Sequence, residues 1–205
     1  MATQQQGEAA MVKTLLVHGL DGSPAPHWQH WWVATDPNAM MVDLSDVSRP
    51  DPARWGAELA GAILRHPGAV LVGHSLGAVL ITQVLTDWPQ LDVAAALLVA
   101  PAEPEGQSRI QPFAPLRARP LDVPTTVVAS RNDPWMRFHR ARQLADAWRA
   151  DVIDVGFAGH INVESGFGPW PEGKRLRDDL LVQATPQPRP QLARLSNVAT
   201  FFPHR

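Results

Sequence analysis

The sequence predicts an α/β fold, a three-layer sandwich in which helices cover both faces of a mostly parallel sheet. Short apolar segments alternate with helical segments along the chain, and this alternation is typical of parallel strands joined by helices. The apolar segments are continuous rather than alternating, which indicates strands buried on both faces. The predicted strands are residues 12–18, 39–44, 69–73, 93–100, 125–129 and 151–156.

Helices are predicted between these strands. Asp51 followed by Pro52 is typical of an N-cap and the first residue of a helix, and the His-Pro-Gly sequence at residues 66–68 is expected to end that helix. Its apolar face is expected to consist of Trp55, Leu59, Ala62 and Ile63. The other predicted helices are residues 76–88, 137–149 and 174–182, the second with Phe138, Leu144, Ala145 and Trp148 as its apolar members.

The length of the chain predicts one folded domain. A chain of 205 residues is long enough for one hydrophobic core and too short for two. We expect residues 1–11 to form a loose leader, residues 12–184 to form the domain, and residues 185–205, with their prolines and arginines, to form an extension outside it.

Composition and charge exclude several classes of protein. The net charge of -2 provides no basic field for nucleic acid or an anionic membrane. The absence of cysteine excludes disulfides, thiolate metal sites and cysteine nucleophiles. No apolar stretch approaches the roughly 20 residues that span a bilayer, and the first residues lack the order of a signal peptide. We therefore expect a cytoplasmic protein without nucleic-acid or membrane partners.

The segment Gly73-His74-Ser75-Leu76-Gly77 matches the pattern G-x-S-x-G between a predicted strand and a predicted helix. A sharp strand-to-helix turn leaves no room for side chains on either side of the serine, which explains the two glycines. Such a turn presents the Ser75 hydroxyl as a nucleophile, and the Leu76 N–H at the helix N-terminus would stabilise an oxyanion. The alternative is a glycine-flanked turn whose serine only caps the helix.

A serine nucleophile needs a histidine base, and that base needs an acid that orients it. Among eight histidines, His160 follows the last predicted strand, so a doubly wound sheet would bring it to the same edge as Ser75. Asp133 follows the strand before it and is the predicted acid, with Glu103 as the alternative. The chain order serine, aspartate, histidine is that of the α/β hydrolases.

The loop after the first strand is predicted to complete the site. It begins at Gly19, and we expect the Leu20 N–H to be the second oxyanion donor, although an ordinary glycine turn is the competing interpretation. His27 and Trp28 are expected to line a substrate cleft together with Trp135, unless these rings form a packed aromatic cluster. The His27-x-x-His30 pair lacks a third ligand at a suitable spacing, so neither a metal nor a cofactor is expected.

Four stretches resemble the small serine α/β hydrolases that include retinoblastoma-binding protein nine and short bacterial homologues. They are HGLDGSPAPHWQHWW, VGHSLGAVL, VVASRNDPW and GHINVESGFGPWPEG, spread over residues 12–183. The resemblance implies Ser75 as nucleophile, Asp133 as acid and His160 as base, in a sheet without a large cap domain.

Residues and resemblance together predict a serine hydrolase that acts on a carboxylic ester or related acyl bond through an acyl-enzyme. The expected partner is a small acyl-containing substrate. Two alternatives are a serine peptidase or amidase, which shares the chemistry, and a protein-interaction module on a hydrolase scaffold.

Overall fold

A computed structural model describes residues 12–184 and places six parallel strands in one sheet. The order across the sheet is β2-β1-β3-β4-β5-β6. All six predicted strands are present with slightly different bounds, and every neighbouring pair is parallel. The strands are β1 (Thr14–Val17), β2 (Ala39–Met41), β3 (Ala69–His74), β4 (Val93–Val99), β5 (Thr125–Ala129) and β6 (Asp151–Asp154). The predicted leader and C-terminal extension lie outside the described residues.

Within residues 12–184, five α-helices connect or follow these strands. The helix α1 covers the aromatic segment after the first loop, which the sequence did not assign to a helix, and the last helix is longer than predicted. None of the described helices is long and apolar enough to cross a membrane. The helices are α1 (Trp28–Thr35), α2 (Pro52–Arg65), α3 (Leu76–Asp87), α4 (Phe138–Trp148) and α5 (Pro171–Ala184).

The helix α2 begins as its sequence predicts. The Asp51 side chain accepts a hydrogen bond from the Arg54 N–H at 2.8 Å, and Pro52 is the first helical residue. The four residues expected on its apolar face are all buried. In α4, Leu144, Ala145 and Trp148 are buried as predicted, and Phe138 at the start of the helix is partly buried and packs against the same core. Ala141 is a further buried residue of this face.

Successive residues of each strand point to opposite faces, so the sheet supports two cores. Leu15 and Val17 of β1 pack with α2, α3 and α4 on one face, whereas Leu16 packs with α1 and α5 on the other. The predicted three-layer arrangement is therefore confirmed. Residues 100–124, between β4 and β5, contain only the short 3₁₀ helix Gln111–Phe113 and no larger helical insertion.

The direction of winding reverses next to β1, because β2 lies on one side of β1 and β3 on the other. The loops that leave the carboxyl ends of β1 and β3 therefore diverge and leave a crevice between them, where ligands bind in open α/β sheets. Gly19 follows β1 and Ser75 follows β3, so both predicted site residues lie at this crevice.

Candidate active site

Ser75 occupies a strained turn between β3 and α3. Its backbone has φ 55° and ψ −120°, a conformation that is uncommon for a residue with a side chain. Its own carbonyl oxygen accepts the Ala78 N–H at 3.1 Å, and its N–H donates to the Val99 carbonyl at 3.0 Å. The Ser75 side chain makes no cap hydrogen bond with the helix. The alternative interpretation of Ser75 as a side-chain N-cap is therefore wrong.

Close approach of the backbone accounts for the glycines around Ser75. A Cβ on Gly73 would lie 2.6 Å from the Ala78 nitrogen, and one on Gly77 would lie 2.5 Å from the His18 carbonyl oxygen. A Cβ on Gly19 would lie 2.9 Å from the Ser75 Cβ. Non-bonded atoms do not approach this closely. Only glycine at these positions therefore allows the turn between β3 and α3 to pack against the loop after β1.

The structure brings Ser75, His160 and Asp133 into one hydrogen-bonded chain. The Ser75 Oγ lies 2.9 Å from His160 Nε2, and His160 Nδ1 lies 2.9 and 3.0 Å from the two oxygens of Asp133. Because a carboxylate only accepts, His160 carries its proton on Nδ1 and leaves Nε2 free to accept the Ser75 proton. The His160 and Asp133 side chains are only 7% and 4% exposed. This arrangement can transfer a proton from a serine hydroxyl to an oriented imidazole.

Asp133, rather than Glu103, contacts His160. The Trp135 N–H donates to Asp133 Oδ1 at 2.8 Å and fixes the orientation of that carboxylate. Glu103 instead accepts from Arg140 Nε at 2.8 Å, and its N–H donates to the Trp135 carbonyl at 3.0 Å. The structure therefore does not place the alternative acid at the imidazole.

Hydrogen bonds to the side chains of Asn132, Ser130 and Ser165 hold the His160 loop in place. Asn132 Oδ1 accepts from the Gly159 N–H at 2.8 Å, and Ser130 Oγ accepts from the Ala158 N–H at 3.0 Å. Ser165 Oγ accepts from the His160 N–H itself at 3.0 Å. The stretch Ser-Arg-Asn-Asp-Pro carried only a turn signal, so the partners of Ser130 and Asn132 were not visible in the sequence.

A row of aromatic rings lies beside the His160 imidazole. Ring contacts run from His27 to His74 at 4.9 Å, from His74 to His160 at 4.9 Å, and from His160 to Trp135 at 5.8 Å. His74 Nε2 donates to the His160 carbonyl oxygen at 2.9 Å, which links the residue before Ser75 to the backbone of the imidazole loop.

Burial lowers the pKa of three histidines near this site, namely His18, His27 and His74. Burial, together with the nearby His160 and His18, lowers the pKa of His27 to about 4. Burial also lowers the pKa of His74 well below its usual range, and it lowers the pKa of His18 despite the Gly19 carbonyl that His18 Nδ1 contacts at 2.8 Å. The lowered pKa values mean that these three neighbours add little positive charge to the surroundings of the site.

Both residues predicted to supply oxyanion donors line a cavity at this site. Leu20 and Leu76 line a cavity of about 260 Å³ together with Ser75 and His160. Within residues 12–184, neither the Leu20 N–H nor the Leu76 N–H donates to another group. Two unpartnered backbone N–H groups beside a serine hydroxyl are the arrangement that stabilises a developing oxyanion.

Two of the three residues predicted to line the cleft do so. His27 and Trp135 line the cavity, together with Ile110, and Asp21 and Arg109 form a bidentate ion pair at its edge, with distances of 2.6 and 2.8 Å. A larger cavity of about 530 Å³ lies between α2, α3 and residues 112–117 and shares no residue with this site.

Trp28 does not line the cleft, and its prediction as a substrate-binding residue is wrong. It is fully buried, packs edge to face against Trp32 and Trp170, and donates from Nε1 to the Ile161 carbonyl at 2.9 Å. The competing interpretation, a packed aromatic cluster, is correct for this residue. Trp28 supports the cleft by holding the backbone next to His160.

His27 is oriented as a helix cap rather than as a metal ligand. It is the N-cap of α1, and its Nδ1 accepts the Gln29 N–H at 3.1 Å. Among the described residues, no group of three histidine, cysteine, aspartate or glutamate side chains could hold a metal ion.

Comparison with solved structures found similar hydrolases. A YdeN-like hydrolase from Pectobacterium atrosepticum is 36% identical, with a TM-score of 0.76 over 85% of this chain and 93% of that chain. The YdeN protein of B. subtilis is 20% identical, with a TM-score of 0.68 over 83% and 99%. An esterase from Rhodococcus is 15% identical, with a TM-score of 0.59 over 84% and 90%. The last two likenesses support the α/β-hydrolase fold alone.

Comparison with family models agrees with these structures. A model described as serine hydrolase matches residues 14–179, a range that includes Ser75, Asp133 and His160. A search of curated proteins found no match. The specific kinship with retinoblastoma-binding protein nine stays a prediction. Because the matched range covers most of the chain, the protein belongs to the serine hydrolase family.

Proposed function

We propose that this serine hydrolase cleaves a carboxylic ester or closely related acyl bond through a covalent acyl-enzyme on Ser75. The observation that carries the proposal is the continuous chain from Ser75 Oγ through both nitrogens of His160 to the Asp133 carboxylate. Its members lie at the carboxyl ends of three different strands, so the sheet holds them in place. The expected partner is a small molecule, because the cavity beside Ser75 holds only about 260 Å³.

In the acylation step, His160 Nε2 takes the Ser75 proton while Oγ forms a bond to the substrate carbonyl carbon. The carbonyl electron pair moves to oxygen, and the Leu20 and Leu76 N–H groups stabilise the resulting oxyanion. When the oxyanion collapses, the bond to the leaving group breaks, and His160 gives its proton to the departing alcohol. Asp133 stabilises the imidazolium throughout this step.

In the deacylation step, water attacks the acyl-enzyme and gives one proton to His160 Nε2. The second oxyanion collapses to the carboxylic acid, and the Ser75 oxygen regains its proton from the imidazolium. Each oxyanion donor is typically worth about 10²–10³ in turnover. An amide would follow the same steps with an amine as leaving group.

The test is hydrolysis of short p-nitrophenyl esters, combined with labelling by a fluorophosphonate probe. We expect the wild-type protein to turn over the esters and to carry the probe on Ser75, and Ser75→Ala to lose both while keeping its circular dichroism spectrum. Ser108→Ala is the matched control, because this serine is exposed and does not line the cavity. A p-nitroanilide assayed in parallel separates esterase from amidase action.

Failure of both readouts would contradict the proposal. A folded wild-type protein without ester turnover and without labelling would favour the protein-interaction module instead. Stoichiometric labelling of a residue other than Ser75 would reject Ser75 as the nucleophile.

A further inference from the structure

His27 presents a hydrogen-bond donor of fixed orientation to the catalytic cavity. Its Nδ1 accepts the Gln29 N–H, so the single proton of the neutral ring lies on Nε2. Within residues 12–184, no group accepts a hydrogen bond from His27 Nε2. The ring lies in the cavity wall beside Ser75 and His160, and its contacts with Trp28 and His74 prevent it from turning freely.

Asn162 presents a second donor to the same cavity. Its side-chain oxygen accepts from the Ser165 N–H at 3.1 Å and from Ser165 Oγ at 2.9 Å. The amide nitrogen of Asn162 therefore points away from these partners, and no group of the described chain accepts from it. Like His27, Asn162 uses its acceptor within the protein and leaves its donor for the cavity.

The charges of the cavity decide which acceptor would suit these donors. Asp21 and Arg109 neutralise each other in their ion pair, which leaves the exposed Glu164 as the remaining charge on the lining, besides the site residues themselves. Glu164 would repel a carboxylate in the substrate, and the lining offers no unpaired cation that would offset this repulsion. An uncharged oxygen would not be repelled.

We propose that His27 and Asn162 form a subsite that binds an uncharged acceptor oxygen, such as an ether, carbonyl or hydroxyl oxygen, on the substrate near its scissile carbonyl. The proposal rests on the function proposed above and names its substrate class, namely short, uncharged, oxygen-bearing acyl compounds rather than plain fatty acyl or anionic ones. Because the protein orients both donors before the substrate binds, little entropy is lost when they form hydrogen bonds. A substrate methylene at this position would displace water and leave both donors without an acceptor.

The test compares two esters of equal size, p-nitrophenyl methoxyacetate and p-nitrophenyl butyrate, which differ by an ether oxygen in place of a methylene. The quantity measured is the ratio of kcat/KM for methoxyacetate to kcat/KM for butyrate. The intrinsic reactivity of the esters is the same for every variant, so a change in this ratio reports the subsite. His27→Asn keeps an acceptor for the Gln29 N–H but removes the distal donor, and Asn162→Asp keeps the acceptor for Ser165 but removes its donor.

We expect the ratio to fall about fivefold in each variant, the factor that one neutral hydrogen bond is typically worth. His30→Asn is the control, since this exposed histidine of α1 lies outside the cavity and should keep the wild-type ratio. An unchanged ratio in His27→Asn overturns the role of His27, and one in Asn162→Asp overturns that of Asn162.

Two further outcomes separate this proposal from the general one. Faster wild-type hydrolysis of the anionic p-nitrophenyl succinate monoester than of methoxyacetate overturns the assignment of an uncharged acceptor, while ester hydrolysis as such stands. A wild-type protein that hydrolyses none of these esters and resists the fluorophosphonate probe overturns the function and the subsite together.

Discussion

His74 donates a hydrogen bond from Nε2 to the carbonyl oxygen of His160 at 2.9 Å, so the residue before the proposed nucleophile holds the backbone of the proposed base. Both residues are buried, and their rings lie 4.9 Å apart. The Ser75–His160 distance therefore depends on His74 as well as on the sheet.

Replacing His74 by phenylalanine should impair both stability and turnover. Phe keeps the ring but leaves the buried His160 carbonyl without its donor, which costs about 1–3 kcal/mol in the free energy of unfolding. A shifted imidazole should lower kcat by up to about 100-fold. Urea denaturation and ester kinetics measure the two effects, and His74→Gln, which retains a terminal N–H, should recover part of each. Wild-type kcat in His74→Phe would contradict the positioning role.

Asp133→Asn should lower kcat by about 10⁴-fold, because an amide in contact with His160 Nδ1 no longer selects the tautomer that accepts from Ser75. Glu103→Gln provides the matched comparison, since Glu103 contacts Arg140 rather than His160. We expect that variant to remain within about tenfold of the wild type in ester hydrolysis. Equal losses in the two variants would contradict the assignment of Asp133 as the acid.

Gly19→Ala should displace Ser75, the proposed nucleophile. The new methyl group would lie 2.9 Å from the Ser75 Cβ and 3.3 Å from its Oγ, so either the loop or the serine must move. Overpacking of this kind typically costs about 1–3 kcal/mol of stability, and the displaced Leu20 N–H should lower kcat as well. Thermal unfolding and ester turnover measure both losses.

Gly61→Ala is the control for that substitution. Gly61 lies within α2 and does not line the cavity at Ser75, and a Cβ there would meet only the end of the Arg65 side chain at 3.4 Å. Alanine in a helix interior should stabilise by about 0.5–1 kcal/mol and leave turnover unchanged. Loss of activity in both variants would mean that the effect of Gly19→Ala is not local.

The neutral histidines should make stability depend on pH in the acid range. His27 has a pKa of about 4 in the folded protein and close to 6.5 when unfolded. A depressed histidine pKa means that the unfolded chain binds more protons, so stability is complete above about pH 6.5 and falls as the pH drops toward 4. This residue alone accounts for roughly 3 kcal/mol over that interval, and His74 and His18 act in the same direction.

Urea denaturation between pH 7 and pH 4.5 measures this dependence. His27→Asn should give a shallower decline of the free energy of unfolding than the wild type, with His30→Asn as the matched control in the same helix. An identical slope in His27→Asn and the wild type would show that folding does not lower the pKa of His27.

The elements of the fold could be predicted because each has a local signal. The apolar stretch at residues 69–73 indicates a buried strand, and Asp51-Pro52 indicates the start of α2, as the structure confirms. The α1 helix was not predicted, because a cluster of tryptophans such as Trp28, Trp31 and Trp32 is as typical of a ligand-binding segment as of the buried face of a helix.

The sequence by itself determined the sharp turn at Ser75, since the two glycines beside this serine and its position between a strand and a helix are local properties. It also indicated that Ser75, Asp133 and His160 lie at one edge of the sheet. Each of them follows a predicted strand, and parallel strands end at the same edge. The tertiary structure alone decided between Asp133 and Glu103, placed Trp28 in the core, and paired Asn132 and Ser130 with the His160 loop. Those outcomes depend on contacts between residues far apart in the chain, and no local pattern encodes which side chains such contacts bring within about 3 Å of one another.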